Sequence, residues 1–202
     1  MEIKIEPVML EGDKIRLEPL TLRHLPRLVE IGLQDHIFRW FTQPVLTPAD
    51  METFVDTALR EQEAGKSLPF ATVERQTGLA VGSTRFGNID REHRRVEIGW
   101  TWIAPAWQRT AVNTEAKYLM LRFAFELWGC NRVEFKTDSL NEPSRRALAR
   151  IGARQEGVFR NHMVTASGRI RHSVYFSVIR EEWPEVKAGL ESKIKQQRLI
   201  TQ

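Results

Sequence analysis

Between an alternating segment, Arg95–Ile103, and a strongly amphipathic one that ends near Gly129 runs a short polar loop, Trp107-Gln-Arg-Thr-Ala-Val-Asn-Thr114. A strand that passes into a helix through such a loop brings backbone N–H groups and the positive end of a helix dipole to one point. A pyrophosphate suits that point. Other chemistry-bearing residues are sparse. His24, His36, His93, His162 and His172 have no metal-ligand spacing, so no metal is assigned. Cys130 is the only cysteine, which excludes an internal disulfide and a multi-cysteine zinc site. It reads as a small core residue rather than a catalytic thiol.

The elements that must hold this loop follow from the hydrophobic periods. Residues 14–19 alternate as a strand and stop at Pro19; Thr21 then caps a helix with Leu22, Leu25, Leu28 and Val29 on one face. Ile37-Phe-Arg-Trp-Phe41, closed by Pro44, reads as a loop or short helix carrying aromatic residues. Thr47-Pro48 opens a second helix that runs to Gly65. Phe70–Glu74 and Ala80–Phe86 form a hairpin across Gln76-Thr-Gly78, and Arg95–Ile103 is a strand whose internal Gly99 suggests a bulge. Ala116, Leu119, Met120, Phe123, Ala124 and Leu127 make the apolar stripe of the strongest helix, capped by Thr114 or Asn113. Arg132–Thr137 is a strand, and a short helix runs from about Pro143 to Gly152. Gly157–Val164 and Arg171–Ile179 close the sheet as a hairpin, and a polar helix anchored by Trp183, Val186 and Leu190 ends the chain. Strands interleaved with helices in this order predict an α/β (α+β) fold.

A chain of 202 residues that is 42% hydrophobic and 28% charged can bury a substantial core. No repeat or linker-like stretch divides it, so residues 1–202 read as one domain with a core of about 13–180 and a C-terminal polar helix over 181–202. No apolar run approaches the ~20 residues of a membrane span. The alternating charges of Met1–Glu6 make no export signal, and the cytoplasm is the expected compartment. The net charge of +4 is uneven: residues 1–100 hold 13 Lys+Arg against 16 Asp+Glu, residues 101–202 hold 17 against 10. A basic half implies a polyanion or a phosphate-bearing cofactor. Its cations are spread over several elements without an aromatic-interleaved face, which argues against nucleic acid.

Four segments in order resemble the GNAT acetyltransferases, in the branch containing the ribosomal-protein N-terminal acetyltransferases. They are Glu97-Ile-Gly-Trp-Thr-Trp-Ile103, Trp107–Ala116, Asn141-Glu-Pro-Ser144 with Arg150-Ile-Gly-Ala153, and Gly168-Arg-Ile-Arg-His-Ser-Val-Tyr175. The resemblance implies a mixed, mostly antiparallel twisted sheet with helices on both faces and a bulged central strand. It also implies acetyl-CoA as cosubstrate and direct attack on its thioester by a primary amine of a small molecule or peptide N-terminus; the alternatives are a non-catalytic acyl-CoA-binding regulator or a ribosome- or RNA-associated protein on the same fold. A homodimer through the final hairpin is compatible with it.

Carried over residue by residue, the resemblance makes Glu97 the candidate base, acting through water, against a plain surface carboxylate alternating outward from Val96 and Ile98; a backbone N–H near Trp100–Trp102 serves the oxyanion. Ser144 stands near the cofactor sulfur, and Tyr175 is a candidate acid. Trp102, Ile103 and Asn141 would hold the cofactor arm; Gln108, Arg109, Thr110, Ala111, Val112, Asn113 and Thr114 would hold the pyrophosphate. Ala111 and Asn113 occupy positions where the family usually has glycine. Ala fits there if the backbone is helical and Asn tolerates a left-handed one, while Arg109, Thr110 and Thr114 offer phosphate contacts that glycine lacks. His36, Trp40 and Phe41 lie in the segment that tends to roof the acceptor cleft. His172 departs from the Asp common in relatives.

Overall fold

The sharpest two-residue alternation, Arg95–Ile103, lies mid-sheet in the computed structural model, which describes residues 3–34 and 36–200. Before it come β1 (Leu10–Glu11), β2 (Ile15–Pro19), β3 (Leu68–Glu74) and β4 (Ala80–Asp90). It is β5, followed by β6 (Arg132–Asp138), β7 (Arg154–Val164) and β8 (Ile170–Ile179). The helices are α1 (Leu25–Gly32), α2 (Pro48–Glu63), α3 (Ala111–Arg122), α4 (Glu142–Arg150) and α5 (Trp183–Ile200). The two ends of the chain, Met1-Glu2 and Thr201-Gln202, and with them the end of the expected 181–202 helix, lie outside the described residues.

Across the sheet the strands run β1-β2-β3-β4-β5-β6-β8-β7, antiparallel throughout except for the parallel pair β5–β6. A parallel neighbour needs a crossover, and α3 supplies it. One face packs α3, α4 and α5 over Leu68, Phe86, Ile98, Val133 and Phe176. The other packs α1 and α2 over Ala71, Val73 and Trp102. The sheet is therefore mixed and mostly antiparallel, with helices on both faces.

Two features position the site. Pairing between β5 and β6 covers only Arg95–Glu97 opposite Arg132–Glu134; beyond Glu97 the two strands have no ladder. In β5, the register against β4 slips between Ser83 and Arg85, and Trp100 takes φ 50°. The left-handed residue of the bulge is thus Trp100, one past Gly99. Its indole lies beside the Arg85 guanidinium, 4.1 Å from the ring centre, and over Gly87, where a Cβ would come within 2.4 Å of the ring. The extra residue reverses the alternation. Before the bulge Val96 and Ile98 face α3; after it Ile103 does, while Trp102 turns to the α1–α2 layer.

Two helical expectations need correction. Thr110 caps α3, accepting the Val112 N–H at 3.3 Å, so the helix begins three residues before the predicted Asn113–Thr114 start. At its far end α3 widens into a π-helical turn over Phe123–Leu127, with Trp128 N–H reaching the Phe123 carbonyl at 3.1 Å. The wider turn rotates Phe125 and Trp128 inward and leaves Leu127 61% exposed, off the predicted stripe.

Candidate active site

On the face away from α3, the strands around the β5–β6 division leave an open cleft of about 800 Å³, lined among others by Asn88, Glu97, Glu134, Glu156, Phe159 and Tyr175. Glu97 lies in its floor, only 4% exposed. It accepts a hydrogen bond from Asn88 Nδ2 at 2.7 Å and lies 3.5 Å from Lys136 Nζ. Asn88 has φ 47° at a second irregularity of β4, a conformation that Asn tolerates better than most residues. Tyr175 stacks near Phe159 at 4.6 Å, and burial pushes its phenol above the usual range, with Glu97 and Glu134 adding to the effect. His162 lies against the same ring; burial lowers its imidazole, helped by the positive charges of Lys136 and Arg171.

The lining carries the carboxylates Asp90, Glu92, Glu97, Glu134 and Glu156 and the guanidinium groups Arg91, Arg95 and Arg132. Arg95 pairs with Asp90 at 3.1 Å and Glu134 at 3.2 Å, and Arg132 pairs with Glu134 at 2.9 Å and with Glu156. These pairs leave the cleft with a modest acidic surplus.

At the other end of the division the loop into α3 is wound tightly. Gln108 donates from Nε2 to the Ile103 carbonyl at 2.9 Å, which ties the loop to β5. Arg109 is exposed and takes φ 61°, so the left-handed position falls on it rather than on Ala111 or Asn113. Both of those residues are helical. Thr110 donates its hydroxyl to the Trp107 carbonyl at 2.7 Å while capping the helix. Val112 and Thr114 are buried, and Thr114 Oγ1 accepts from Arg150 at 3.3 Å. The hydroxyl of Thr114 is therefore turned into the fold and not toward a phosphate. Gln108, Arg109 and Thr110 are exposed at the helix start, and the backbone N–H groups of the half-buried Ala111 and Asn113 have no partner inside the helix.

Asn141 caps α4 by accepting from the Ser144 N–H at 3.2 Å. Trp102 has its ring in the core, 5.4 Å from Phe38, so only its backbone and that of Ile103 border the division. In the aromatic segment His36 is exposed, Phe41 packs on Phe38 and Phe54, and the Trp40 carbonyl accepts from Arg171 at 3.1 Å. Ala166 N–H reaches the Thr42 carbonyl at 3.0 Å, so this segment bridges to the β7–β8 hairpin beside the cleft. His172 accepts the Asn161 N–H at 2.9 Å. Sequence reasoning missed Asn88, Lys136, Arg171 and Lys117; of these, only Lys117 left a signal, a cation three residues before the stripe residue Met120.

The chain as a whole is similar to known proteins. Residues 14–154 fit the family model described as Acetyltransferase (GNAT) domain. YdaF of Bacillus subtilis (strain 168), named a candidate ribosomal N-acetyltransferase, is 30% identical over 172 residues, covering 83% of this chain and 90% of that protein. A GCN5-related N-acetyltransferase from Brucella melitensis superposes with a TM-score of 0.86 at 33% identity, covering 94% of this chain and 86% of that one. RimJ of Mycobacterium smegmatis, in complex with CoA-disulfide, shares the fold with a TM-score of 0.81 at 23% identity, covering 94% and 96% of the two chains. The chain belongs to the GNAT family of N-acetyltransferases.

Proposed function

We propose that the protein transfers an acetyl group from acetyl-CoA to a primary amine by direct attack within a ternary complex. The observation that carries this reading is the end of β5–β6 pairing at Glu97, which joins the α3 start to the cleft. The residues present fit the cosubstrate: Arg109 and the N–H groups of Ala111 and Asn113 would hold its pyrophosphate, and the backbone of Trp102 and Ile103 its arm. RimJ of Mycobacterium smegmatis, which shares the fold, was obtained in complex with CoA-disulfide, in keeping with a CoA-type cosubstrate here. Acetyl-CoA supplies the acyl group as a thioester; the chain supplies position, a base and an oxyanion donor.

An α-amino group of pKa ~8 or a lysine amine of ~10.4 must lose a proton before it attacks. Glu97 takes that proton, directly or through one water, while the bulge N–H groups near Trp100–Trp102 hold the carbonyl oxygen as it becomes negative. Ser144 at the start of α4 hydrogen-bonds the sulfur as it departs. Tyr175 is the candidate acid for the departing thiolate; burial raises its pKa and keeps the phenol protonated. The acidic surplus of the cleft draws in an acceptor that arrives as a cation. Val158, Phe159, Val164 and Ile170 are exposed on the final hairpin and support a homodimer there.

A thiol-release assay with acetyl-CoA and a panel of peptides, polyamines and amino compounds tests the reading. Turnover with at least one amine is expected. Binding of acetyl-CoA without turnover on any amine would make the protein a binding module on the same fold.

A further inference from the structure

Lys117 projects from α3 to the underside of the β5–β6 division, on the opposite face from Glu97. Its Nζ donates to Thr101 Oγ1 at 2.7 Å and lies 6.0 Å from the centre of the Phe135 ring. Thr101 belongs to β5 and Phe135 to β6, so the ammonium spans the two strands just past the point where their pairing ends. Thr101 Oγ1 in turn lies 2.7 Å from Thr84 Oγ1, and the two hydroxyls lie 3.4 and 3.5 Å from the Gly99 carbonyl, the residue before the left-handed Trp100. Lys117 is thus the end of a polar chain that holds the bulge.

Packing gives no reason for a charge here. Lys117 is buried on a largely apolar helix face, where Ala116, Met120 and Leu121 are also buried and Thr114 one turn earlier is the polar neighbour. A buried ammonium without a carboxylate is costly, and an apolar side chain of similar volume would avoid the cost. Among the described residues it meets Thr101 from β5 and the Phe135 ring from β6, and Thr101 in turn meets Thr84 from β4, which lies 3.6 Å from Met120 Sδ; none of these titrates in the ordinary range. Burial alone lowers its pKa to about 7.

We propose that Lys117 serves the acyl transfer from beneath the sheet, positioning the Trp100 bulge through Thr101 and Thr84 and polarising the carbonyl that the bulge holds. The proposal rests on the acyl-CoA reading above. When the amine nitrogen forms the C–N bond, the carbonyl oxygen gains negative charge; the C–S bond then breaks with its electron pair on sulfur, and the amine proton goes to Glu97. Lys117 neither gives nor takes a proton. In its protonated form, which prevails below about pH 7, Lys117 places a positive charge in a low-dielectric site and stabilises that oxygen without reorganising.

Infrared spectroscopy of acetyl-CoA carrying ¹³C at the carbonyl reads this polarisation with no acceptor present. In the wild type the bound carbonyl band should fall to lower frequency than in free acetyl-CoA. Lys117→Met should bind acetyl-CoA comparably by calorimetry yet lose most of that shift, and Lys117→Arg should retain part of it. With an amine acceptor, Lys117→Met should lower kcat by about 10²-fold while leaving the KM for the amine little changed. A folded Lys117→Met protein with the wild-type band overturns the proposal. Should that variant not fold, Thr101→Val cuts the same link from β5, and an unmoved band there has the same force. Failure of the wild type to bind acetyl-CoA would instead sink the acyl-CoA reading itself.

Discussion

Where β5 and β6 part, Glu97 on the open face has an amide at 2.7 Å and an ammonium at 3.5 Å, whereas Lys117 on the helix-covered face has a hydroxyl and an aromatic ring. The faces differ because α1 and α2 cover only the β2–β5 side of theirs, leaving β6, β8 and β7 to carry polar residues into a cleft. On the other face α3 and α5 close over an apolar core. A paired buried charge can be tolerated by the fold on its own terms; an unpaired one in an apolar layer lowers stability and calls for a role beyond packing.

The largest effect should come from the open face. Glu97→Gln keeps the side-chain volume but removes the carboxylate proposed as the base, and kcat at neutral pH should fall by about 10²–10⁴-fold. Thiol release measured from pH 6 to 10 should show partial recovery as the amine loses its own proton. An unchanged profile would remove Glu97 from the mechanism.

On the covered face the same kind of change should stabilise. The folded-state pKa of Lys117, about 7, lies below its ordinary value of 10.5. Below pH 7 the fold carries the full cost of burying the charge; between these values the unfolded chain binds more protons, so stability rises with pH. Lys117→Met should therefore raise the unfolding free energy at pH 6, on the order of a few kcal/mol, with a higher Tm, and the gain should shrink toward zero near pH 10.5. A pH-independent gap in thermal melts would mean that the lysine's charge is not the cause.

Glu115 offers a contrast to both. This carboxylate of α3 accepts from the backbone N–H groups of Asp13, Lys14 and Ile15 at 2.6, 2.9 and 2.9 Å, pinning the β1–β2 turn. Glu115→Ala should cost about 2–3 kcal/mol in denaturant unfolding while kcat per folded molecule stays at the wild-type level. A loss of kcat with unchanged stability would reverse its assignment. The smallest effect concerns Arg109. Glycine relieves its left-handed backbone, so Arg109→Gly should be more stable than Arg109→Ala by about 1 kcal/mol. Both should weaken CoA binding by the same factor, and the weakening should fade at high salt. Unequal affinities would show that the backbone, not the guanidinium, sets the grip.

Much of the scaffold was readable in the sequence because its signals are local. Alternation gives β5 its bounds, and Thr47-Pro48 marks the start of α2, where Thr47 accepts from the Asp50 N–H. The start of α3 was misplaced because Thr110 and Thr114 are both cap-type residues one turn apart, and only burial of Thr114 distinguishes them. β1 has two residues, too few for a period. The bulge was visible as Gly99, yet the left-handed angle falls on Trp100, where Arg85 and Gly87 hold the indole. The partners of Glu97 come from β4 and β6, and no spacing within β5 points to them. Lys117 escaped because a stripe of apolar residues reveals which way a helix faces, not what a polar neighbour meets on a distant strand.

Direct attack requires that no acyl group pass to the protein, and Cys130 is in no position to take one: it is buried, and burial pushes its thiol up to about 12. Initial rates of thiol release, measured while acetyl-CoA and an active amine are varied together, test this most directly. Intersecting double-reciprocal lines, with no burst of thiol before the amine is added, are the predicted result. Parallel lines with a stoichiometric burst in the absence of amine would place an acyl-enzyme on the path and contradict the account.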